Sequence, residues 1–203
     1  MKLTKKSGLA LAFIFIFLIS SVVAFSGLFT KPSTQNVVFE TSIGTIELEL
    51  YADKAPATVT NFVRYVDEHF YDGTVFHRVV NLAGFKVVQG GGFTATAAKP
   101  ATHDPIKLET GGGLKNVVGT IAMARSSAVN SATSQFYFNV IDHPGLDPAP
   151  GVSGYAVFGK VVQGWSIVEQ IDGVATGTRT VGGYEYADWP VTEVIITRAY
   201  VKR

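Results

Sequence analysis

Polar and apolar residues alternate along much of the chain, and this period of two predicts a mainly β protein. In the segment 38–50, Ile46, Leu48 and Leu50 share one face of a strand, while two glutamates occupy the other face. A turn at 42–44 makes this strand the second of a hairpin. Further short strands, each bounded by turn residues, are predicted at 75–80, 86–89, 117–124, 135–140, 155–160 and 191–200.

Two segments follow the helical period instead. Pro56 stands where the first turn of a helix tolerates proline, and apolar side chains then recur at three- and four-residue spacing to about His69. A shorter helix, 165–171, falls between the last two predicted strands. Many short strands with two helices favour a closed antiparallel β-barrel that is capped at its ends.

The N-terminus has the features of an export signal. Three lysines among the first six residues precede an uncharged apolar run over 8–23, and the small residues up to Ala24 match a signal-peptidase site. A run of this length can also just span a bilayer, so residues 1–24 are either a cleaved signal peptide, which we favour, or a retained membrane anchor. We expect a linker over 25–36 and an exported domain over 37–203. Contact with the membrane is expected only through residues 8–25, and only if they stay uncleaved.

Composition narrows the range of functions. The chain has no cysteine, so disulfides, thiol catalysis and cysteine–metal sites are excluded. Without residues 1–24 it carries 14 basic and 16 acidic side chains, a net charge of −2. Nucleic-acid binding needs a basic surface, so no nucleic-acid partner is expected. No two of the four histidines fall at a ligand spacing such as i, i+4, which argues against a metal site.

The candidate chemistry is concentrated in two consecutive predicted strands, one with the cation Arg78 and the other with the amide Gln89. Because side chains alternate along a strand, Arg78 shares a face with Phe76, and Gln89 with Val87. His77 points the opposite way and is interpreted as a buried structural histidine. A cation and an amide beside an apolar floor suit a substrate that is mostly apolar with one polar bond, such as a prolyl peptide bond.

Five strings, in this order, resemble the cyclophilins, and most closely their bacterial exported branch, over about 37–201. They are Phe76-His77-Arg78-Val79-Val80, Gln89-Gly90-Gly91-Gly92-Phe93, and the segments 119–125, 131–136 and 155–160. The resemblance implies an eight-stranded β-barrel with two capping helices and peptidyl-prolyl cis–trans isomerase activity. It also implies that no cofactor or metal is needed and that the partners are proline-containing segments of exported proteins. We expect the protein to be a monomer.

Arg78 has a clear chemical use in such a reaction. Rotation about an X–Pro bond faces a barrier of about 18–20 kcal/mol because the amide is conjugated. The nitrogen of the twisted amide gains a lone pair, and a permanently charged, rigidly forked guanidinium is a natural donor to it. An interaction present only in the transition state accelerates the reaction, and one such donor is typically worth about 3–4 kcal/mol.

The resemblance also assigns the other site residues. Gln89 either orients Arg78 or meets a substrate carbonyl, while Phe136 and Phe138 are expected to face the core. The residues implied to line the proline slot or to contact an extended substrate are Phe85, Val87, Ala124, Arg125, Gln135, Tyr137 and Leu146.

Three features depart from the family pattern. The segment between the arginine and the glutamine is a few residues longer than usual because of extra residues within 81–88. Phe85 is the candidate pocket phenylalanine, although a bulge here would displace it. Tyr137 adds a hydroxyl to the pocket wall where phenylalanine is usual. Gly145 stands before Leu-Asp, where the family commonly has an aromatic residue against which the drug cyclosporin packs.

Two functions from different classes fit these observations. One is an exported prolyl isomerase that assists the folding of extracytoplasmic chains. The other is a peptide-binding or chaperone module on the same fold, with weak or no turnover. The presence of Arg78, Gln89 and Gln135 together favours the enzyme. A secreted hydrolase lacks support, since no Ser-His-Asp set, nucleophile elbow or carboxylate pair stands out.

Overall fold

The computed structural model describes residues 34–203, so the predicted export segment lies outside the described residues. Among those residues, no helix is both long and apolar enough to cross a membrane. The strands are β1 (Thr34–Thr41), β2 (Gly44–Tyr51), β3 (Arg78–Leu82), β4 (Phe85–Gly90), β5 (Thr120–Met123), β6 (Phe136–Asn139), β7 (Val157–Gln163), β8 (Thr176–Val181), β9 (Tyr184–Pro190) and β10 (Ile196–Lys202). The helices are α1 (Pro56–Asp67) and α2 (Trp165–Asp172), and a short 3-10 turn spans Pro144–Leu146.

Eight strands form one antiparallel sheet in the order β10-β1-β2-β7-β5-β6-β4-β3. The sheet curls so that its two edge strands approach, and an isolated bridge between Val75 and Ile195 joins the segments beside them. The amide of Phe76 also donates to the carbonyl of Val194. The predicted mainly β fold with eight strands and two helices is confirmed. A single isolated bridge, rather than a full ladder of hydrogen-bonded pairs, joins the two ends of the sheet, so the sheet is a curled half-barrel.

The main core lies on one face of this sheet and is rich in aromatic rings. Phe62 of α1 packs against Phe158 of β7 at 5.0 Å and against Phe136 of β6 at 5.7 Å between ring centroids. Phe136 and Phe138 are fully buried in this core, as predicted. Tyr137 lies between them in sequence and belongs to a separate apolar cluster. Alternation along β6 therefore gives the sheet a core face and a second face that carries the candidate site.

Hairpin β8–β9 was not predicted from the sequence. Its strands form a separate two-stranded sheet, joined by a turn at Gly182-Gly183 in which both glycines have positive φ. No residue of β8 is fully buried, so this segment lacks the alternating pattern by which strands are recognised. The main anchor of the hairpin is the buried Trp189 near the end of β9, which packs against Phe93, and Tyr186 packs against the same ring.

Candidate active site

Three neighbouring strands, β3, β4 and β6, align the central side chains of the site. Arg78 is paired with Gln89 across β3 and β4, and Gln89 is paired with Tyr137 across β4 and β6. Residues directly opposite each other in an antiparallel pair project to the same face. The guanidinium, the amide and the phenol ring therefore stand in a row on the face opposite the main core.

The extra residues within 81–88 lengthen the β3–β4 hairpin. Pairing is continuous up to the turn, where Gly84 adopts a φ of 83°. The bulge considered from the sequence is not present. Phe85, Val87 and Gln89 consequently lie on one face of β4. The ring of Phe85 packs against the imidazole of His143 at 4.8 Å, which fixes it beside the site.

An open cavity of about 130 Å³ lies on this face. Every candidate residue from the sequence lines it except Gln135, and Tyr155 joins them. Gln135 lies instead on an adjoining cavity of about 440 Å³ that shares Gln89, Ala124 and Arg125 with the first. The lining residues of the smaller cavity are Arg78, Phe85, Val87, Gln89, Ala124, Arg125, Tyr137, Leu146 and Tyr155.

A chain of hydrogen bonds orients the guanidinium of Arg78. Its Nη1 donates to Gln89 Oε1 at 3.3 Å, and Gln89 Nε2 donates to Gln135 Oε1 at 2.9 Å. The same Gln135 oxygen lies 3.2 Å from His77 Nε2. An amide oxygen only accepts hydrogen bonds, so Nε2 carries the ring proton in this arrangement. Gln89 is thus held with its oxygen towards Arg78.

His77 is buried, as predicted, but it also takes part in the site. Burial lowers the pKa of His77 to about 4, and the neighbouring Arg78 cation acts in the same direction. The imidazole is therefore neutral near pH 7 and places no second positive charge beside the guanidinium. Sequence reasoning missed the contact with Gln135 because the two residues are 58 positions apart.

The hydroxyl that Tyr137 adds, where phenylalanine is usual, is bound by a neighbouring side chain. It donates to Asn116 Oδ1 at 2.8 Å, and burial raises the pKa of Tyr137. The amide of Asn116 in turn donates to the carbonyl of Leu146 at 3.1 Å. The phenol thus lines the cavity, while its hydroxyl is part of the hydrogen-bond network that includes the carbonyl of Leu146.

Arg125 forms the rim shared by the two cavities. Its Nη2 donates to the carbonyl of Gly154 at 2.9 Å, and its guanidinium lies 4.6 Å from the ring centroid of Tyr155. A cation over an aromatic face is attracted by the ring quadrupole. Arg125 therefore stabilises the rim, whereas Arg78 is the guanidinium held beside the apolar slot.

Within residues 34–203, no three histidine or acidic side chains converge in a way that would hold a metal ion. The chemistry offered by the described site is electrostatic. A cation of fixed orientation faces a cavity with an apolar wall, and this arrangement can stabilise partial negative charge or a lone pair on a mostly apolar ligand.

Comparison with known proteins agrees with this geometry. Residues 36–201 match the family model described as cyclophilin type peptidyl-prolyl cis-trans isomerase/CLD. Peptidyl-prolyl cis-trans isomerase A of Dickeya dadantii is 46% identical over 181 residues, which cover 89% of this chain and 92% of that protein. Peptidyl-prolyl cis-trans isomerase B of Escherichia coli is 47% identical over 164 residues, covering 79% of this chain and 95% of that protein.

A solved structure shares the fold at lower sequence identity. The crystal structure of a Cryptosporidium parvum cyclophilin type peptidyl-prolyl cis-trans isomerase superposes with a TM-score of 0.65 at 23% identity, covering 84% of this chain and 98% of that one. The family match and the bacterial relatives show that the chain belongs to the cyclophilin-type peptidyl-prolyl cis-trans isomerases. Its enzymatic activity is that class of isomerisation.

Proposed function

We propose that the protein catalyses rotation about X–Pro bonds in exported proteins and thereby assists their folding, with Arg78 as the donor to the twisted amide. The observation that carries this proposal is the oriented guanidinium beside an apolar cavity. Arg78 Nη1 is bonded to Gln89 Oε1, and Phe85 and Val87 stand on the same face of β4 as that glutamine. The export part of the proposal is supported by the basic, apolar N-terminal segment.

The proline ring occupies the apolar slot, and its placement brings the prolyl nitrogen towards the guanidinium. Phe85, Val87, Tyr137 and Leu146 supply the apolar walls. No covalent bond breaks during the rotation, so the enzyme needs only to bind the twisted amide better than the planar one. A preorganised donor achieves this without reorienting during the reaction.

Replacing Arg78 with alanine tests the mechanism. We expect Arg78→Ala to lower kcat/KM for a proline tetrapeptide by about 10²–10³-fold, the scale for one preorganised donor. The thermal midpoint should barely change, because the side chain is 42% exposed and contributes little packing. The matched control is Arg198→Ala on β10, an exposed arginine whose guanidinium lies over the ring of Tyr200 and which lines neither cavity.

The assay also separates the enzyme from a peptide-binding or chaperone module. A folded wild-type protein that binds proline peptides without accelerating their isomerisation would support the module. Full activity in a folded Arg78→Ala variant would contradict the proposed mechanism and leave the isomerase class intact.

A further inference from the structure

We propose that Asp188, on the unpredicted hairpin β8–β9, is a positioning residue that restrains the guanidinium of Arg78 at a different nitrogen from the one bonded to Gln89. Asp188 Oδ2 lies 3.8 Å from Arg78 Nε. Within residues 34–203, it is the one carboxylate that forms an ion pair with this arginine. The inference rests on the proposed role of Arg78 as the donor to the twisted amide.

The two contacts use different nitrogens of the guanidinium. Nη1 donates to Gln89, while Nε faces Asp188. A guanidinium carries five N–H groups in one rigid plane. The hydrogen bond at Nη1 and the ion pair at Nε restrain the guanidinium at two of its nitrogens, and neither uses the Nη2 hydrogens.

The backbone of β9 is distorted where it carries Asp188. Trp189 is paired with Gly177 and Tyr186 with Arg179, so β9 has one more residue than β8 between these pairs. Asp188 lies in this bulge with a φ of 59°, a left-handed conformation that aspartate adopts more readily than most residues. Bulges redirect side chains and recur beside active sites. Here the bulge turns a carboxylate towards the candidate catalytic arginine.

The residue next to Asp188 anchors this distorted segment. Trp189 is only 3% exposed and packs against Phe93 at 5.3 Å and His77 at 5.9 Å between ring centroids. The guanidinium of Arg179 lies 4.8 Å from the Trp189 ring centroid and covers it from the other strand. Both supports of Arg78 therefore lead to His77, one through Gln89 and Gln135, and the other through Asp188 and Trp189.

The ion pair is not expected to stabilise the fold. The side chains of Arg78 and Asp188 are 42% and 36% exposed, and exposed pairs of this kind contribute little to the free energy of unfolding. A small misplacement of a catalytic group nevertheless reduces turnover strongly. The effect of Asp188 should consequently be seen in kcat rather than in the thermal midpoint.

Two substitutions test this inference in the full-length protein. Asp188→Gly removes the carboxylate, and Asp188→Asn keeps one oxygen that can accept from Nε; both residues tolerate a positive φ. With a proline tetrapeptide, we expect kcat to fall about tenfold in Asp188→Gly and by a smaller factor in Asp188→Asn. KM should stay within about twofold of wild type, because the proline slot is unchanged. Glu185→Gln, an exposed change on the same strand, should leave kcat unaltered.

A double-mutant cycle distinguishes positioning from a general structural effect. Because Asp188 acts through Arg78, Asp188→Gly should cause no further loss of kcat/KM in an Arg78→Ala background, measured at a proportionally higher enzyme concentration. Unchanged or increased kcat in both Asp188 variants would overturn the inference, as would an equal loss in the two backgrounds. Full activity of Arg78→Ala would instead remove the proposed mechanism on which the inference rests.

Discussion

The neighbours of Arg78 determine its chemical role. A half-exposed guanidinium on a strand is usually a hydrated surface group, but here Gln89 and Asp188 contact two of its nitrogens. Arg78 and Gln89 could be identified from the sequence because each lies in a short, specific string. The participation of His77 and Asp188 could not, since their contacts join residues far apart in the chain and no local period records them.

His77 gives a prediction about pH at the residue scale. Its pKa is about 4 in the folded protein, against about 6.5 when exposed in the unfolded chain. Between these values the unfolded state binds more protons, so the free energy of unfolding should fall as the pH falls from about 6.5 towards 4. Above pH 6.5 His77 is neutral in both states, so the free energy of unfolding no longer changes with pH through this group. Denaturant titrations of wild type and His77→Gln across this range should show a shallower decline in the variant.

The matched control for this titration is His69→Asn. His69 is exposed and has a φ of 56°, which asparagine tolerates. Comparison with this variant separates the effect of the buried imidazole from that of removing a histidine at the surface. An identical decline in wild type and His77→Gln would show that other groups, such as carboxylates, cause the loss of stability in acid.

Gly145 gives a second prediction at this scale, about cyclosporin. Glycine offers neither the aromatic surface nor the indole donor that the family commonly presents at this position. The lost hydrogen bond is worth about 1 kcal/mol, and the lost aromatic contact adds to it. Cyclosporin binding should therefore weaken by about two decades or more. No atom lies within 4 Å of a Cβ built on Gly145, so a side chain can start at this position without a clash at its Cβ. We expect weak inhibition of the wild type and tighter inhibition of Gly145→Trp; tight inhibition of the unmodified enzyme would contradict this.

At the scale of elements, contacts with α2 and with the 3-10 turn hold the lengthened β3–β4 hairpin in place. Asn81 Nδ2 donates to the Asp172 carbonyl at 3.0 Å at the end of α2, and Lys86 Nζ lies 3.6 Å from the Asp172 carboxylate. On the other side, His143 Nε2 lies 2.9 Å from the Lys86 carbonyl. Sequence periodicity identified both strands of this hairpin. It could not decide between a bulge and a longer hairpin, because that choice depends on these contacts with α2 and the 3-10 turn.

The Phe85 side chain at the base of this hairpin turn is expected to shape the proline slot. Phe85→Ala should raise KM for proline peptides and reduce turnover, because it removes an apolar wall of the cavity. The side chain is half-buried, so the free energy of unfolding should fall by only about 1–2 kcal/mol. Leu82→Ala is the control, since Leu82 pairs with Phe85 on the same hairpin but is 61% exposed. Equal kinetics for Phe85→Ala and wild type would show that Phe85 does not contact the substrate.

At the scale of the whole molecule, the elements that share the main core were the predictable ones. Strand β2 and both helices bury one apolar face, so each carries a clear hydrophobic period. The ends of the elements were predicted less accurately. Strand β1 begins at Thr34, within the predicted linker, and β10 begins at Ile196 rather than at 191 as predicted. Hairpin β8–β9 was missed because it contributes little to any core, although its bulge directs Asp188 towards the site. A contact proposed to be functional can therefore come from a segment whose sequence has no clear hydrophobic pattern.

Export is the prediction that concerns the chain as a whole. Residues 1–35 begin with three lysines among the first six positions, and an apolar run without charge follows them, which is sufficient in composition for an export signal. A reporter that is active only outside the cytoplasm should therefore be active when fused to residues 1–35. A fusion that begins at Phe25 and so lacks the basic start and the apolar run should be inactive.

Mass spectrometry of the native protein should find Phe25 at the N-terminus, because cleavage is expected after Ala24. An intact Met1 in the membrane fraction would instead support a retained anchor, and inactivity of the 1–35 fusion would contradict export by this segment.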